Sequence, residues 1–167
     1  MRKILFYVLI LLSMAGCTKD HGSRVEIYLL SSYSSSTNTS TSPATVVITN
    51  PVLENSPLVA DKDISFYTQS TYTFTLKKDI QSRIASYGAD KAFAVTVDKE
   101  LVYVGKFQPA YLSNIPFGHA TITPLGPNNQ ELKIDFPMVV GSTDLLLLDK
   151  RNDDLLIATL RATGRLR

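Results

Sequence analysis

The chain has 167 residues, enough for one domain with its own core, and 44% of them are hydrophobic. That share, with 19% charged residues, excludes an intrinsically disordered chain. Seventeen basic residues against fifteen acidic ones exclude a strongly charged surface, and we therefore expect no nucleic-acid partner, because phosphate binding needs a concentrated positive field. The single cysteine rules out an intrachain disulfide and a cysteine-based zinc site within these residues.

The first residues have the order of an export signal. Arg2 and Lys3 precede an apolar run over residues 4–12, and small residues follow it. Nine apolar residues are too few for the roughly 20 that a membrane-spanning helix needs, and they match the core of a secretory signal. We therefore predict a signal peptide over residues 1–16.

Ala15 and Gly16 stand directly before Cys17. This order resembles the lipobox of bacterial lipoproteins, in which the cysteine thiol receives diacylglycerol and a peptidase cuts just before it. Met14 departs from the leucine that is usual there. The resemblance implies a lipidated Cys17 and a tether over residues 17–24, whereas the alternatives are an uncleaved anchor or an ordinary signal with an incidental cysteine.

The residues around Cys17 also predict where the protein resides. Thr18 follows the cysteine instead of the aspartate that retains many lipoproteins at the inner membrane, so we expect an outer-membrane location in the cell envelope. Cleavage would remove two of the seventeen basic residues and leave fifteen of each sign. The first partner predicted is thus the membrane, through lipid on Cys17.

From residue 25 onward the chain alternates between strand-like and polar segments. Residues 25–30 are rich in strand formers and predict a first strand, and residues 44–49 predict a second, ended by Asn50 and Pro51. Between them, residues 31–43 are almost all Ser and Thr, and we predict a solvated loop there.

The middle of the chain predicts one helix among further strands. We interpret residues 52–67 as irregular with short extended pieces, whereas residues 71–76 alternate strictly between polar and apolar and predict a half-buried strand. Apolar residues then recur at helical spacing over residues 77–87, and Gly88 follows where a helix often ends. The period therefore predicts a short helix laid on the sheet.

A hairpin is predicted from residues 92–97 and 101–107, which flank the turn residues 98–100. Further strands are predicted over residues 119–123, 132–136 and 144–148.

The C-terminus predicts a helix. Asn152 can cap it, Gly164 can end it, and the apolar stripe is Leu156, Ile157 and Leu160. Together the elements predict an α+β fold: a β-rich, mostly antiparallel sheet with one internal and one C-terminal helix, in a single domain over residues 25–167.

The polar residues indicate no catalytic or cofactor site. His21 lies beside the predicted anchor, and His119 begins a predicted strand without further metal ligands nearby in sequence. Each carboxylate pair fits a loop, a hairpin turn or a helix start, although a hidden acid pair stays open; the pairs are Asp61 with Asp63, Asp98 with Glu100, and Asp153 with Asp154. The basic C-terminus fits charge near a helix end, with anionic lipid as the alternative.

Residues 71–123 resemble the periplasmic head of SecD-type translocation subunits. The shared features are the Phe93-Ala94-Val95 hairpin strand and the Gly118–Thr123 strand, although the family's glycine pair is reduced here to Gly118 after Phe117. The resemblance covers about a third of the chain and implies a head-like fold, without the motor activity.

The chain also resembles small lipoproteins of gut Bacteroidetes, in its VEIYLL opening, its FAVTVD hairpin and the DKRND segment before the last helix. This resemblance implies a Gram-negative envelope lipoprotein and no catalytic residues. The leading hypothesis is therefore a non-enzymatic binding module that contacts an envelope protein or a glycan. The alternatives are an envelope hydrolase with an unrecognised site and an accessory factor in secretion.

Overall fold

In the computed structural model the chain is described over residues 22–113, 116–124, 128–139 and 141–167. Over these residues the fold is α+β with mostly antiparallel strands, which confirms the predicted class. The strands are β1 (Val25–Asn38), β2 (Thr45–Leu53), β3 (Ile64–Thr68), β4 (Thr73–Leu76), β5 (Ala92–Val97), β6 (Glu100–Phe107), β7 (Ala120–Ile122) and β8 (Glu131–Lys133). The helices are α1 (Gln81–Ile84), α2 (Thr143–Leu148) and α3 (Asp154–Ala162), and a 3-10 turn spans Asp61–Asp63.

The described strands form two sheets. The larger has the order β2-β1-β5-β6-β7, in which β6 and β7 run parallel and the other neighbours antiparallel. The smaller has the order β3-β4-β8 and is antiparallel throughout. The last residues of the chain lie beside β3, because the Tyr67 amide donates to the Arg165 carbonyl at 2.7 Å and the Arg167 amide donates to the Tyr67 carbonyl at 2.9 Å.

The long strand β1 corrects the prediction of a loop over residues 31–43. Its first half pairs with β5, and its second half continues through the serines and pairs with β2 from Leu30 to Asn38. Exposed Ser and Thr side chains suit this strand, because the β2 backbone satisfies the ladder hydrogen bonds and the hydroxyl side chains themselves need no burial. The connecting loop shrinks to residues 39–44. We call the paired segments 30–38 and 45–53 the ribbon.

A bulge replaces the predicted end of β2. Asn50 has a φ of 50°, and Asn50 and Pro51 together lie opposite the single residue Tyr33, after which pairing resumes at Val52 with Ser32. Proline lacks an amide hydrogen, and a bulge is one of the few places where a strand accommodates it. The strand therefore bends at Asn50 instead of stopping there.

Two further predictions are wrong in part. The helix predicted over residues 77–87 is only the single turn α1. The Lys77 amide donates to the Asp63 carbonyl at 2.8 Å, and the Ile80 amide donates to the Asn129 carbonyl at 2.9 Å. These bonds tie residues 77–80 to neighbouring segments, and the helical spacing reflects the burial of Ile80 and Ile84.

The strand predicted over residues 144–148 is the helix α2. Four consecutive leucines carry no period that distinguishes strand from helix, and here Leu145 alone of the four is buried.

The hairpin and the last helix follow their predictions. Asp98 and Lys99 both have positive φ, 50° and 68°, which is the geometry of a tight two-residue hairpin turn. Asp153, and not Asn152, caps α3 by accepting a hydrogen bond from the Leu155 amide at 3.0 Å. The predicted stripe of Leu156, Ile157 and Leu160 is buried, and Gly164 has a φ of 69° after the helix.

Both faces of the hairpin β5–β6 are covered. Phe93 and Phe107 pack edge to face in the main core, with ring centroids 5.7 Å apart, and α3 packs against β1 and β5. On the other face Leu30, Ala92 and Ala94 form a smaller cluster, against which the ribbon packs Tyr33 and Ile48. The ribbon thus folds over the sheet to which it belongs.

Candidate functional site: an apolar groove

An apolar groove of about 280 Å³ lies where the ribbon crosses β6. One wall is formed by residues 46–48 of β2 and the other by residues 101–104 of β6. Residues 118–120, Phe136, Leu148 and Lys150 complete the lining. Because β2 and β6 are not neighbours in the sheet order, the groove exists only through the folding over of the ribbon.

Contacts at the start of β2 hold the ribbon in this position. The Val46 amide donates to the Phe117 carbonyl at 2.9 Å. Gly118 has a φ of 91°, and a Cβ there would lie 2.5 Å from the Cβ of Thr45, so the close approach requires glycine. At the other side of the ribbon the Tyr33 hydroxyl donates to the Asp90 carbonyl at 2.8 Å, and Lys106 Nζ lies 5.6 Å from the centroid of the Tyr33 ring.

His119 lines the groove and is 4% exposed. Neither ring nitrogen makes a hydrogen bond of good geometry. The pKa of His119 is lowered to about 4, mainly by burial and further by the positive charge of Lys106, whereas the nearby carbonyls of Val46 and Phe117 act in the opposite direction. The imidazole is therefore neutral at pH 7 and offers one donor and one acceptor.

A second, smaller cavity of about 100 Å³ also contains His119 in its lining, together with Lys106 and Pro116. Within the described residues, no three His, Cys, Asp or Glu side chains cluster as metal ligands would. The chemistry available at His119 is thus hydrogen bonding in an apolar setting.

The rim of the groove is apolar and accessible. Val47, Leu101 and Leu148 are each about two-fifths exposed, and Lys150, which also lines the groove, is exposed. Aliphatic walls with few polar groups favour an apolar ligand over a glycan, which needs many hydrogen-bonding partners. One exposed cation in the lining suits a ligand that carries a negative charge at one end.

A buried ion pair fixes the chain between α2 and α3. Arg151 Nε and Nη2 bind the two carboxylate oxygens of Asp149, at 2.9 and 2.7 Å, and Nη1 donates to the Ile134 carbonyl at 3.1 Å. The guanidinium carbon lies 3.6 Å from the centroid of the Tyr72 ring. This clamp holds the end of α2, and with it Leu148, at the groove.

Tyr103 is a second buried polar group in the groove lining. Its hydroxyl makes no hydrogen bond. Burial raises the pKa of Tyr103 well above its usual value; the nearby Tyr67 and Asp149 act in the same direction and Arg151 opposes them. The hydroxyl is therefore neutral at pH 7.

The carboxylates considered as acid pairs serve the fold. Asp61 pairs with Arg165 at 2.7 Å and accepts from the Val25 amide at 2.8 Å, and Asp63 pairs with Lys78 at 2.9 Å. A hydrogen bond from the Arg24 amide lowers the pKa of Asp98.

The basic C-terminus is used in part by the fold as well. Arg165 binds Asp61, and the guanidinium carbon of Arg167 lies 3.6 Å from the centroid of the Phe66 ring. These two residues therefore anchor the tail to β3. Neither of the roles expected from the sequence, favourable charge near a helix end or contact with anionic lipid, included this contact.

The described structure leaves the lipidation prediction untouched. Cys17 and His21 both lie outside the described residues. No helix in the described part of the chain has the length and apolar character needed to cross a membrane. The groove was not predicted from the sequence, because its walls come from strands that share no local pattern. The one available signal was the run of four leucines, the last of which, Leu148, lines the groove.

Comparisons of the chain with protein-family models, with curated proteins and with solved structures find no match.

Proposed function

We propose that the chain is a lipid-anchored protein of the cell envelope, held at the outer membrane by lipid on Cys17, and that its domain is a non-enzymatic binding module. The observation that carries the binding role is the apolar groove, with its accessible rim and a neutral, buried imidazole in its lining. A site lined by hydrocarbon with few placed polar groups is typical of ligand binding. Nothing about the groove specifically favours hydrolysis or secretion.

The ligand class that fits is a hydrocarbon chain with an acidic end. The chain would lie against Val47 and Leu101, and the acidic end would approach the exposed Lys150 in the groove lining. His119 supplies one further hydrogen bond to a polar atom within the groove. A fatty acid has this chemistry, and the cell envelope is rich in acyl chains.

Binding of a fluorescent fatty acid to the purified protein tests the proposal. We expect Val47→Glu and Leu101→Glu each to weaken binding at least about tenfold, since that corresponds to only 1.4 kcal/mol and a carboxylate in an apolar wall costs more. The matched control is Leu155→Glu, because Leu155 is exposed to a similar degree on α3 and is not part of the groove lining. An equal loss of affinity in all three variants, or no binding by the unaltered protein, would contradict fatty-acid binding in the groove.

The anchor needs a separate test. Cells fed a radioactive fatty acid should label the protein, whereas Cys17→Ala should abolish the label while the protein is still made. Equal label on both proteins would refute lipidation at Cys17.

A further inference from the structure

We propose that the exposed leucines of α2 form the surface by which the anchored domain rests on the lipid bilayer; the inference rests on the proposed function. Leu146 and Leu147 are 60% and 75% exposed, and Leu148 follows them at 43%. Met138 and Val139 are also exposed and share with Leu146 a shallow cavity of about 270 Å³. We call these five residues the leucine face.

The leucine face is not required by the fold. Leu145 is the leucine of α2 that is buried in the core, and the Asp149–Arg151 clamp fixes the end of the helix. Contiguous exposed apolar side chains on a soluble domain mark a surface that meets an apolar partner. Lys150, two residues after Leu148, is exposed and can extend its ammonium group towards lipid phosphates while its methylenes stay with the leucines.

The point where the tether enters the domain indicates which partner this is. The Arg24 amide donates to the Asp98 carboxylate at 2.9 Å, and the Asp98 amide donates to the Arg24 carbonyl at 2.8 Å. The chain therefore enters the domain at the turn between β5 and β6.

The groove opens close to this turn. Val25 pairs with Val97, and Val97 pairs with Glu100, the neighbour of Leu101. Two strand spacings separate the tether from Leu101, which is about 10 Å. Leu101 and Leu148 line the same groove, and Asp135 pairs antiparallel with Thr121 of β7, so the chain after Asp135 runs back towards the end at which β6 begins. The leucine face therefore lies on the side of the domain from which the tether leaves.

A short tether turns this position into a membrane contact. Residues 18–24 span at most about 25 Å when fully extended, which is less than the length of a small domain. Lipid on Cys17 would therefore keep the tether end of the domain at the bilayer. A bilayer is therefore the apolar partner nearest to this end, whereas a second copy or another protein would have to enter the same gap.

The test uses the full chain, lipidated in cells and reconstituted in phosphatidylcholine vesicles. Leu147→Cys carries a thiol-reactive fluorophore on the leucine face. Lys91→Cys is the control, because Lys91 is exposed and directly precedes β5, whose other end, Val97, pairs with Val25 beside the tether. Cys17 is the only native cysteine, so the number of fluorophores per chain reports whether its thiol is already modified.

We expect one fluorophore per chain, and several-fold stronger quenching by lipids brominated in their acyl chains at position 147 than at position 91. One fluorophore per chain with equally weak quenching at both positions would refute the membrane contact of the leucine face, while lipidation at Cys17 would still be supported. Two fluorophores per chain would show a free Cys17 and overturn both.

Discussion

Replacement of His119 by leucine should remove a specific part of the acid sensitivity of the protein. The pKa of His119 is about 4 in the folded protein and 6.5 for the free side chain, because burial and Lys106 disfavour the charged ring. Between these values the unfolded chain binds a proton that the folded protein does not. The stabilising contribution is therefore complete above pH 6.5 and is lost as the pH falls towards 4.

The size of this effect follows from the two pKa values. The full loss is about 3 kcal/mol, at 1.36 kcal/mol for each unit of pKa difference, and about 2 kcal/mol of it has been lost by pH 5. Urea unfolding at pH 7.5 and pH 5 measures it, followed by circular dichroism because the chain has no tryptophan. His119→Leu should lower the difference between the two free energies of unfolding by about 2 kcal/mol.

The comparison of wild type and variant isolates His119, since all other titrating groups, His21 included, are common to both proteins. Leucine is close to histidine in volume and leaves no unpaired ring nitrogen, so the variant should remain folded at pH 7.5. An identical pH dependence in the two proteins would refute a buried, neutral His119.

Two stability predictions concern the residues that hold the site. Arg151→Lys should lower the free energy of unfolding by about 2 kcal/mol, because lysine keeps the charge but loses the bidentate contact with Asp149 and the stacking on Tyr72. The control Lys150→Arg, at an exposed neighbouring position, should change the free energy of unfolding by less than about 0.5 kcal/mol. Gly105→Ala should cost more than about 3 kcal/mol, since its Cβ would collide with the Ala120 carbonyl oxygen and the Phe93 ring. Gly164→Ala has open space and only an unfavourable φ, and should cost about 1 kcal/mol. Chemical denaturation measures all four, and equal losses within either pair would contradict the contacts.

Sequence periodicity predicted the elements whose pattern and partners are local. The hairpin of β5 and β6 and the stripe of α3 carry their apolar spacing within a few residues, and both form as expected. The ribbon was missed because its strand conformation depends on pairing with β2, whereas most of its Ser and Thr side chains are exposed and carry no apolar pattern. The helix α2 was missed because its leucines show no period, and the surface they form is exposed.

The groove could not be predicted for a related reason. It needs β2 to fold over β6 across two intervening strands, which depends on the bulge at Asn50 and on the close approach of Gly118 to Thr45. Neither a bulge nor a glycine contact between distant segments has a signature in one sequence. His119 was recognised as a candidate, but burial, which gives it its properties, emerges only from that long-range packing.

The ribbon itself provides a final prediction, because Tyr33 fastens it over the sheet. The Tyr33 hydroxyl donates to the Asp90 carbonyl at 2.8 Å, its ring lies 5.6 Å from Lys106 Nζ, and it packs against the cluster of Ala92 and Ala94. Tyr33→Ser removes a hydrogen bond worth about 1 kcal/mol, a cation–π contact worth about 0.5 kcal/mol and part of the apolar contact.

If the ribbon opens separately from the core, this loss appears as local opening. Backbone amide exchange over residues 31–38 and 45–53 should then become about tenfold faster or more, since 1.4 kcal/mol corresponds to one factor of ten. Exchange in β5 should stay unchanged, because β1 and β6 still pair with it on both sides. Equal acceleration in the ribbon and in β5 would show that the ribbon and the core unfold together, and the groove would then be a rigid site instead of one whose wall can lift to admit a ligand.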